Sequence, residues 1–383
     1  MSAILSIVSG SAFAEPWSIE PRLGASAEYD TNPGLREFDP ISETHAAALF
    51  SVPLRYDTNG IGFLFIPSGR ISNSPGFASL ASNYFHLDTS LQLADELDST
   101  TIQGALARDS SLYHAGGFVN GVGVRRDVGS AAADWTRLIS ERCQLQLDAS
   151  WSRVDYAQPP EETSLVDYKY LSAGPTLAFT LSERDTLKFL STFGQYQSQN
   201  GITESKSGNL QLGFVRQLNE LWSLSATGGY SHSTNSQKYF LGPFYLGTLS
   251  SNESGGVYAL TLTRQSEQLS LSAAISQSLQ PTGFAYLSLQ DSLNLNATYT
   301  RSERWDFSLG AAWQKIRNPF LGGGENNVRY LNAQITANWH WTEQWVVSMH
   351  ALRVAEQVSP PLSSAASSGV SLDVVRQFLR HGI

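Results

Sequence analysis

The sequence predicts an all-β protein, a closed antiparallel up-and-down transmembrane β-barrel of about eighteen strands, with sixteen as the alternative count. Three observations predict it. Short polar turns recur at an even spacing, the strands between them alternate in polarity, and aromatic residues mark two levels of the wall. Tight turns at one end and longer loops at the other are typical of this fold.

Seven short turns, each built around a glutamate, divide the chain. Successive turn glutamates lie between 36 and 47 residues apart, and each interval holds two alternating strands joined by a looser Gly/Asn/Ser/Pro-rich segment. An eighth turn of different chemistry, Asp57-Thr58-Asn59-Gly60, precedes them. We expect all of these turns at one rim. The seven are Asp95-Glu96-Leu97, Ser140-Glu141-Arg142, Ser182-Glu183-Arg184, Asn219-Glu220-Leu221, Ser266-Glu267-Gln268, Ser302-Glu303-Arg304 and Thr342-Glu343-Gln344.

The segments between turns alternate with period 2, as expected for a wall with two unlike faces. Leu269, Leu271, Ala273 and Ile275 lie opposite Ser270, Ser272 and Ser276, and residues 331–339 place Leu, Ala, Ile, Ala and Trp opposite Asn, Gln and Thr. The predicted strands are 17–30, 46–56, 61–73, 83–94, 99–112, 127–139, 143–156, 167–180, 185–198, 207–218, 221–235, 255–264, 268–280, 286–300, 305–317, 328–341, 345–357 and 369–378.

Aromatic residues supply an independent indication. Trp222 and Trp305 each follow a glutamate turn, and Tyr230 and Trp313 lie eight positions further along the same strands and on the same face. Eight residues of tilted strand span roughly 20 Å of height. The apolar band of membrane barrels is about 25 Å tall, so the two sets are expected at its two edges. A β-propeller also repeats near this period, but its blades need four short strands per repeat.

Composition is consistent with one membrane domain. Charged residues are only 15% of the 383 residues, and the net charge of −9 argues against nucleic acid as a partner. The single cysteine, Cys143, excludes an intramolecular disulfide. Residues 1–14 are interpreted as the rear of a signal peptide, with apolar residues from Ile4 and a cleavage pattern ending at Ala14. Residues 15–383 are predicted to form a single barrel domain.

The polar face of the strands is the expected lumen. Most of its positions are neutral hydroxyls and amides, which suits neutral or mildly charged hydrated solutes. His86 and Asp373 join this face. The charged candidates for lumen-facing positions are Glu20, Arg22, Glu28, Arg55, Arg70, Asp88, Asp134, Asp148, Lys188 and Asp306.

Catalysis is not expected, and neither a cofactor nor a metal is predicted. The sequence holds no GxSxG, HExxH or phosphate-binding glycine loop, and His86, His340 and His350 lie on different strands.

The segment 236–255 is predicted to be the longest loop. Four aromatic residues crowd around Gly242-Pro243, and aromatic rings stack on sugar faces, so they are candidates for sugar contact. A small hydrophobic cluster that keeps the loop folded is the alternative. The four are Tyr239, Phe240, Phe244 and Tyr245.

The first predicted strand runs into Glu28-Tyr29-Asp30-Thr31-Asn32-Pro33. Residues 17–33 resemble the opening of outer-membrane β-barrel proteins encoded with exopolysaccharide and capsule export genes. The resemblance implies a bacterial outer-membrane conduit for an exopolysaccharide or capsular polysaccharide. A general diffusion porin for small solutes and a non-transporting structural barrel are the alternatives.

An even strand count puts both termini on the short-turn side, the periplasm in this class. The partners implied are outer-membrane lipid and lipopolysaccharide, a polysaccharide cargo, a periplasmic polysaccharide-export protein and the barrel assembly machinery. Such machinery normally recognises a terminal aromatic residue, and Phe378 fits that role although five residues follow it.

Overall fold

The computed structural model describes residues 16–35, 37–73, 83–110, 124–157, 165–199, 201–241, 244–282, 287–318, 326–359, 363–378 and 381–382. All of the described strands belong to one antiparallel sheet. They are β1 (Trp17–Ile19), β2 (Arg22–Asp30), β3 (Glu43–Ser51), β4 (Leu54–Thr58), β5 (Ile61–Ser72), β6 (Tyr84–Ala94), β7 (Asp98–Ser110), β8 (Arg125–Ser140), β9 (Cys143–Tyr156), β10 (Tyr168–Thr180), β11 (Asp185–Ser198), β12 (Thr203–Gln217), β13 (Trp222–Leu241), β14 (Phe244–Gln265), β15 (Leu269–Pro281), β16 (Leu287–Ser302), β17 (Trp305–Asn318), β18 (Asn326–His340), β19 (Trp345–Ser359), β20 (Ser363–Gln377) and β21 (His381–Gly382).

Two pairs of short strands, β1 with β2 and β3 with β4, each form one interrupted strand of the barrel wall, and we call each complete wall strand a stave. Pro21 separates β1 from β2 and Pro53 separates β3 from β4, since proline has no N–H to give to the ladder. The two breaks lie side by side, because β1 pairs with β4 while β2 pairs with β3. Counted as staves, the described strands make eighteen, and β21 adds only two residues that pair with β1.

The barrel closes between its first and last long strands. β2 pairs with β20 without a break from Arg22 opposite Gln377 to Asp30 opposite Gly369. Every other stave pairs with its sequence neighbours. Closure leaves no free edge with unpaired N–H and C=O groups. The predicted closed antiparallel barrel of eighteen strands is therefore confirmed.

The short turns owe their shape to the residue before each glutamate. In Ser182-Glu183-Arg184, the Ser182 hydroxyl accepts the backbone N–H of Arg184 at 3.2 Å and of Asp185 at 3.1 Å. In the other six turns, the side chain before the glutamate accepts one or both of the corresponding N–H groups. Small polar side chains make this turn because they reach the N–H groups just ahead of them. All seven turns join consecutive antiparallel strands from β6–β7 to β18–β19 and lie at one rim, as predicted.

The prediction of a long loop at 236–255 is wrong. β13 and β14 remain paired as far as Leu241 opposite Phe244, with an irregularity at residues 239–240. Both faces of this hairpin are polar at positions such as Ser233, Thr234, Glu253 and Ser254. A strand that projects past the apolar band has water on its outer face, so its sequence loses the polarity alternation that marks a membrane strand.

Two hydrophobic clusters lie at the long-loop end of the barrel. One joins Val124, Leu165 and Leu287, which precede or begin strands, to Tyr168 and Tyr196 on the wall. The other joins Leu35 to Tyr330 and Val354. The described part of the chain contains no helix long and apolar enough to cross a membrane. The predicted signal segment, residues 1–14, lies outside the described residues.

Candidate functional site

The two faces of the wall can be assigned from a contact that crosses the barrel. The Tyr196 hydroxyl, on β11, donates to the backbone carbonyl of Thr282 at 3.4 Å. Thr282 follows β15, which is four strands away in the sheet. Such a contact must pass through the interior, so Tyr196 marks the inner face. The outer face carries exposed apolar side chains such as Leu210, Ile335 and Met349.

The strand register puts the charged candidates on the inner face. Neighbouring residues alternate between faces and directly paired residues share one, so the pairing assigns each strand residue in turn. Their role in lining a pore stays a prediction. The residues on this face are Arg22, Glu28, Arg55, Arg70, Asp88, Asp134, Asp148, Lys188 and Asp306, with Glu20 between β1 and β2 in the same alternation.

A charged network lies where the barrel closes. Glu28 accepts a hydrogen bond from the Arg70 guanidinium, and the same Glu28 oxygen lies 3.2 Å from His45 Nε2. Beside it, His350 Nε2 lies 3.2 Å from Asp373, and His350 Nδ1 lies 2.9 Å from the Thr336 hydroxyl. The network extends from β5 to β18 across the seam between β2 and β20. Arg70 therefore neutralises Glu28, and the side chains of the network lie on both sides of the seam between the first and last strands.

A smaller group of the same kind lies at the short-turn rim. Asp306 accepts hydrogen bonds from Asn338 Nδ2 at 2.6 Å and contacts His340 Nε2 at 2.7 Å. The Ser348 hydroxyl donates to the side-chain oxygen Oδ1 of Asn338 at 2.7 Å. His340 and His350, which the sequence places on separate strands, thus each pair with a carboxylate of the neighbouring strand. Sequence spacing alone could not find these pairs, because they depend on register.

The remaining candidates do not form one constellation. Asp134 and Asp148 are direct cross-strand partners, and Gln146 Nε2 donates to Asp148 at 2.6 Å. Arg22 lies 4.0 Å from Glu20 near the rim. Arg55 stands opposite Ser18 and Leu64, and Lys188 opposite Ala178 and Gly213. Asp88 lines a hollow of about 390 Å³ with Ser90, Gln103, Ser130, Ser150 and Ser152.

Small neutral groups make up the rest of this wall. Ser150 and Ser172 share a hydrogen bond of 2.8 Å across β9 and β10, and Ser276 and Ser292 share one of 2.7 Å across β15 and β16. Each hydroxyl is both a donor and an acceptor. A serine-rich wall can therefore exchange hydrogen bonds with water or with solute hydroxyls in either direction.

The Tyr-Asp-Thr-Asn-Pro motif ties the loop after β2 to β20. Asp30 accepts the backbone N–H of Asn32 at 2.8 Å and the Ser367 hydroxyl. The Asn32 amide donates to the Ala366 carbonyl at 3.3 Å, and the Thr31 N–H donates to the Ser368 carbonyl at 3.0 Å. These bonds turn the chain inward, so that Leu35 packs on Tyr330 and Val354 of the inner face. The motif therefore fixes both the closing seam and the path of the first loop.

Sequence reasoning missed a group of inner-face tyrosines at the same end. Tyr156, Tyr168, Tyr170 and Tyr196 belong to adjacent strands, and the rings of Tyr168 and Tyr196 stack with centroids 5.2 Å apart. Tyr196 is 0% exposed. Their signal is visible in the sequence as tyrosines at the long-loop ends of three neighbouring strands. Leu287 packs in the same cluster as Tyr156, Tyr168 and Tyr196.

The aromatic residues proposed for sugar contact are partly described. Phe244 and Tyr245 begin β14 and are 71% and 56% exposed. The Tyr245 hydroxyl lies 2.5 Å from the Thr248 hydroxyl. Tyr239 and Phe240 lie in β13, and their side chains fall outside the described residues. Phe244 and Tyr245 are therefore exposed at the tip of the projecting hairpin, and sugar contact there stays a prediction.

Comparison with known proteins reveals likeness in architecture. No protein-family model matches the sequence, and no curated protein matches it. Pseudomonas aeruginosa OccK1 (OpdK) is 12% identical, with a TM-score of 0.48, over 97% of this chain and 100% of its own. Pseudomonas aeruginosa OpdQ is 12% identical, with a TM-score of 0.47, over 94% and 97%. The unliganded ferric citrate transporter FecA is 9% identical, with a TM-score of 0.48, over 96% and 79%. The closure of the present barrel rests on its strand pairing, and the likeness supports no statement about function.

Proposed function

We propose that this protein is an outer-membrane channel for uncharged, hydroxyl-rich solutes, and that its cargo is an exported polysaccharide. The observation that carries the proposal is the chemistry of the inner face, where small hydroxyl and amide groups dominate and several of the charges are paired with one another. The clearest ion pair is Glu28 with Arg70, and His350 and His340 lie within hydrogen-bond distance of Asp373 and Asp306.

Paired charges favour neutral cargo for an electrostatic reason. An unpaired ring of one sign would attract counter-ions and repel like-charged solutes. Where a carboxylate has a guanidinium against it, as Glu28 has Arg70, its field on a passing solute is largely cancelled. Serine and amide groups then exchange hydrogen bonds with sugar hydroxyls at nearly the strength of water, so a polymer could slide without deep binding wells.

The outer face supports the membrane placement. Its exposed apolar side chains would be costly in water but suit lipid, and large exposed apolar surfaces mark contact with a membrane or a partner. In this proposal the short-turn rim, where β1 and β21 pair, faces the periplasm. A periplasmic polysaccharide-export protein would dock there, and lipopolysaccharide would surround the other end. The barrel assembly machinery would recognise the strand that ends near Phe378.

A general diffusion channel for small solutes is the second candidate. The observation that favours it is the packing of Leu35 and Leu287 against tyrosines of the inner wall at the long-loop end, which would narrow the opening there. A narrowed opening would pass a small sugar more readily than a bulky branched polymer.

Planar-bilayer conductance and a gene deletion together test the proposal. We expect the purified barrel to conduct ions with weak charge selectivity, and neutral oligosaccharides to block the current briefly. The double variant Ser150→Leu/Ser172→Leu replaces a hydroxyl pair on the inner wall and should change the blocking time. Ala149→Leu on the outer face is the matched control and should leave it unchanged.

The deletion strain decides between the two candidates. Export predicts polymer trapped in the periplasm while its synthesis continues. Normal surface polysaccharide with reduced uptake of a small solute would instead establish the diffusion channel. A barrel that carries no current would refute both.

A further inference from the structure

One sector of the outer wall carries two aligned rows of side chains, one polar and one apolar. Strand pairing joins Gln277, Asp291, Lys315, Arg329 and Gln357 as successive cross-strand neighbours from β15 to β19. These five share the outer face with Trp313 and Leu331 by alternation. We call them the polar row.

The apolar row lies immediately towards the short-turn rim. Ile275, Leu293, Trp313, Leu331 and Ala355 are successive neighbours in the same five strands, each two residues from its counterpart in the polar row. Two residues of strand cover about 6.6 Å. The boundary between the apolar band and the polar wall therefore passes between these rows.

Two cations face each other across strands at this boundary. Lys315 and Arg329 are direct partners in the β17–β18 ladder, and like charges placed so are destabilising unless something neutralises them. Arg317 lies two residues beyond Lys315 and pairs with Asp291 at 3.0 Å. Gln277 also donates to Asp291, at 2.5 Å. The one carboxylate of the row is thus already engaged by Arg317 and Gln277, and the sector keeps an excess of positive charge.

We propose that this sector is a binding site for a phosphorylated glycolipid of the outer leaflet, with its phosphate between Lys315 and Arg329. The proposal rests on the outer-membrane placement given above. A phosphate monoester carries close to two negative charges and three acceptor oxygens, which matches two convergent cations. Acyl chains would lie on Leu293, Trp313 and Leu331, directly below.

The flanking amides distinguish a glycolipid from a simple phospholipid. Gln277 and Gln357 end the polar row on either side of the charged residues. Amide groups donate and accept hydrogen bonds, as sugar hydroxyls require.

The test is titration of the purified full-length barrel in detergent with lipid A that carries phosphates. Dephosphorylated lipid A and phosphatidylglycerol serve as comparison ligands, and bound lipid is counted by native mass spectrometry. The variant Lys315→Gln/Arg329→Gln should bind phosphorylated lipid A about tenfold more weakly. Lys315→Arg/Arg329→Lys keeps both charges and should bind within about threefold of the parent.

Arg153→Gln is the matched control for a general surface-charge effect. Arg153 lies on the outer face of β9 and pairs with Asp155 at 2.8 Å, so its loss should leave lipid binding unchanged. An equal loss in this control, equal binding of dephosphorylated lipid A, or full binding by the double glutamine variant would overturn the proposal. Retained heat-modifiable mobility on gels excludes misfolding as the cause of weaker binding.

The outcome is separable from that of the channel proposal. If the barrel binds phosphorylated lipid A at this site but oligosaccharides do not block its current, the lipid-site proposal stands and the cargo proposal is refuted. If the barrel conducts as proposed but shows no preference for phosphorylated lipid, the channel proposal stands and the lipid-site proposal is refuted.

Discussion

The substitution Leu309→Arg tests the assignment of the two faces most directly. Leu309 lies on the outer face of β17, four residues from Trp305 and four from Trp313. Four residues of strand tilted by about 40° cover roughly 10 Å of height. If the two tryptophans lie at the edges of the apolar band, Leu309 lies near its middle.

An arginine at the middle of the band should cost about 2–4 kcal/mol of folding free energy. Its guanidinium would have to leave water or distort the lipid, while its cross-strand neighbours Ala297 and Ile335 offer no polar partner. The neighbouring Ser308→Arg points to the inner face, between Thr298 and Thr336. There the charge can reach water, and we expect a change within about 0.5 kcal/mol.

The measurement is a urea titration of both variants refolded in lipid vesicles, with the folded fraction read from gel mobility without heating. We expect Leu309→Arg to unfold at clearly lower urea and Ser308→Arg to follow the parent. If Ser308→Arg is the more damaging of the two, the inner and outer faces have been exchanged. Equal, small effects would mean that this part of the wall is not in contact with lipid.

Three further predictions concern the seam, a turn and the network of charges. Asp30→Ala removes the acceptor of the buried Ser367 hydroxyl at the closing seam, while the Asn32 N–H keeps its bond to Ser367 Oγ at 3.1 Å, and should lower the free energy of unfolding by about 1–3 kcal/mol in denaturant titrations. The Asp95 carboxylate accepts two backbone N–H groups of its turn, which hold its pKa below the ordinary value. A lowered folded-state pKa stabilises above the unfolded pKa of about 3.9. The deficit of Asp95→Ala should therefore be seen at pH 7 and vanish as unfolding is measured towards pH 2. Glu28→Gln leaves the Arg70 charge uncompensated and should shift the reversal potential of the channel towards anions, whereas Glu20→Gln, at the exposed rim, should shift it less.

Controls and contrary outcomes follow from the same contacts. Thr31→Val keeps the backbone bond from residue 31 to the Ser368 carbonyl and serves as the mild variant beside Asp30→Ala. Equal stability of Asp30→Ala and the parent would show that strand pairing alone closes the seam. A deficit of Asp95→Ala that persists at pH 2 would mean that its cause is not the ionised carboxylate. An unchanged reversal potential in Glu28→Gln would place that network away from the path of the ions.

Much of the barrel could be predicted from local sequence patterns, namely polarity alternation and turn residues. The polarity alternation of strands such as β15 and β18 arises because one face contacts lipid and the other contacts water. The turns at Ser182 and Ser302 recur because one small polar side chain suffices to close each of them. The pattern failed in β13 and β14 beyond about residue 235, where both faces meet water and alternation carries no information. It also did not reveal that Pro21 and Pro53 would interrupt two staves side by side.

The candidate site depended on tertiary structure to a greater degree. The phase of each strand predicted that Glu28, Asp306 and the other charged candidates share one face. Only the register could pair Glu28 with Arg70 or His340 with Asp306, because those partners lie 42 and 34 residues apart and a one-residue slip would separate them. The seam contacts of Asp30 with Ser367, 337 residues away, likewise exist only once the barrel has closed.

The sequence by itself thus determined the fold class, a strand count of about eighteen with sixteen left open, the common rim of the turns and the division of side chains between two faces. Each of these follows from neighbours within a few residues and from the choice between lipid and water. The tertiary structure decided which charges cancel, where the first loop turns inward, and that Lys315 meets Arg329 at the edge of the apolar band. Those features arise from the register between strands, which is a property of the closed sheet and not of any one strand.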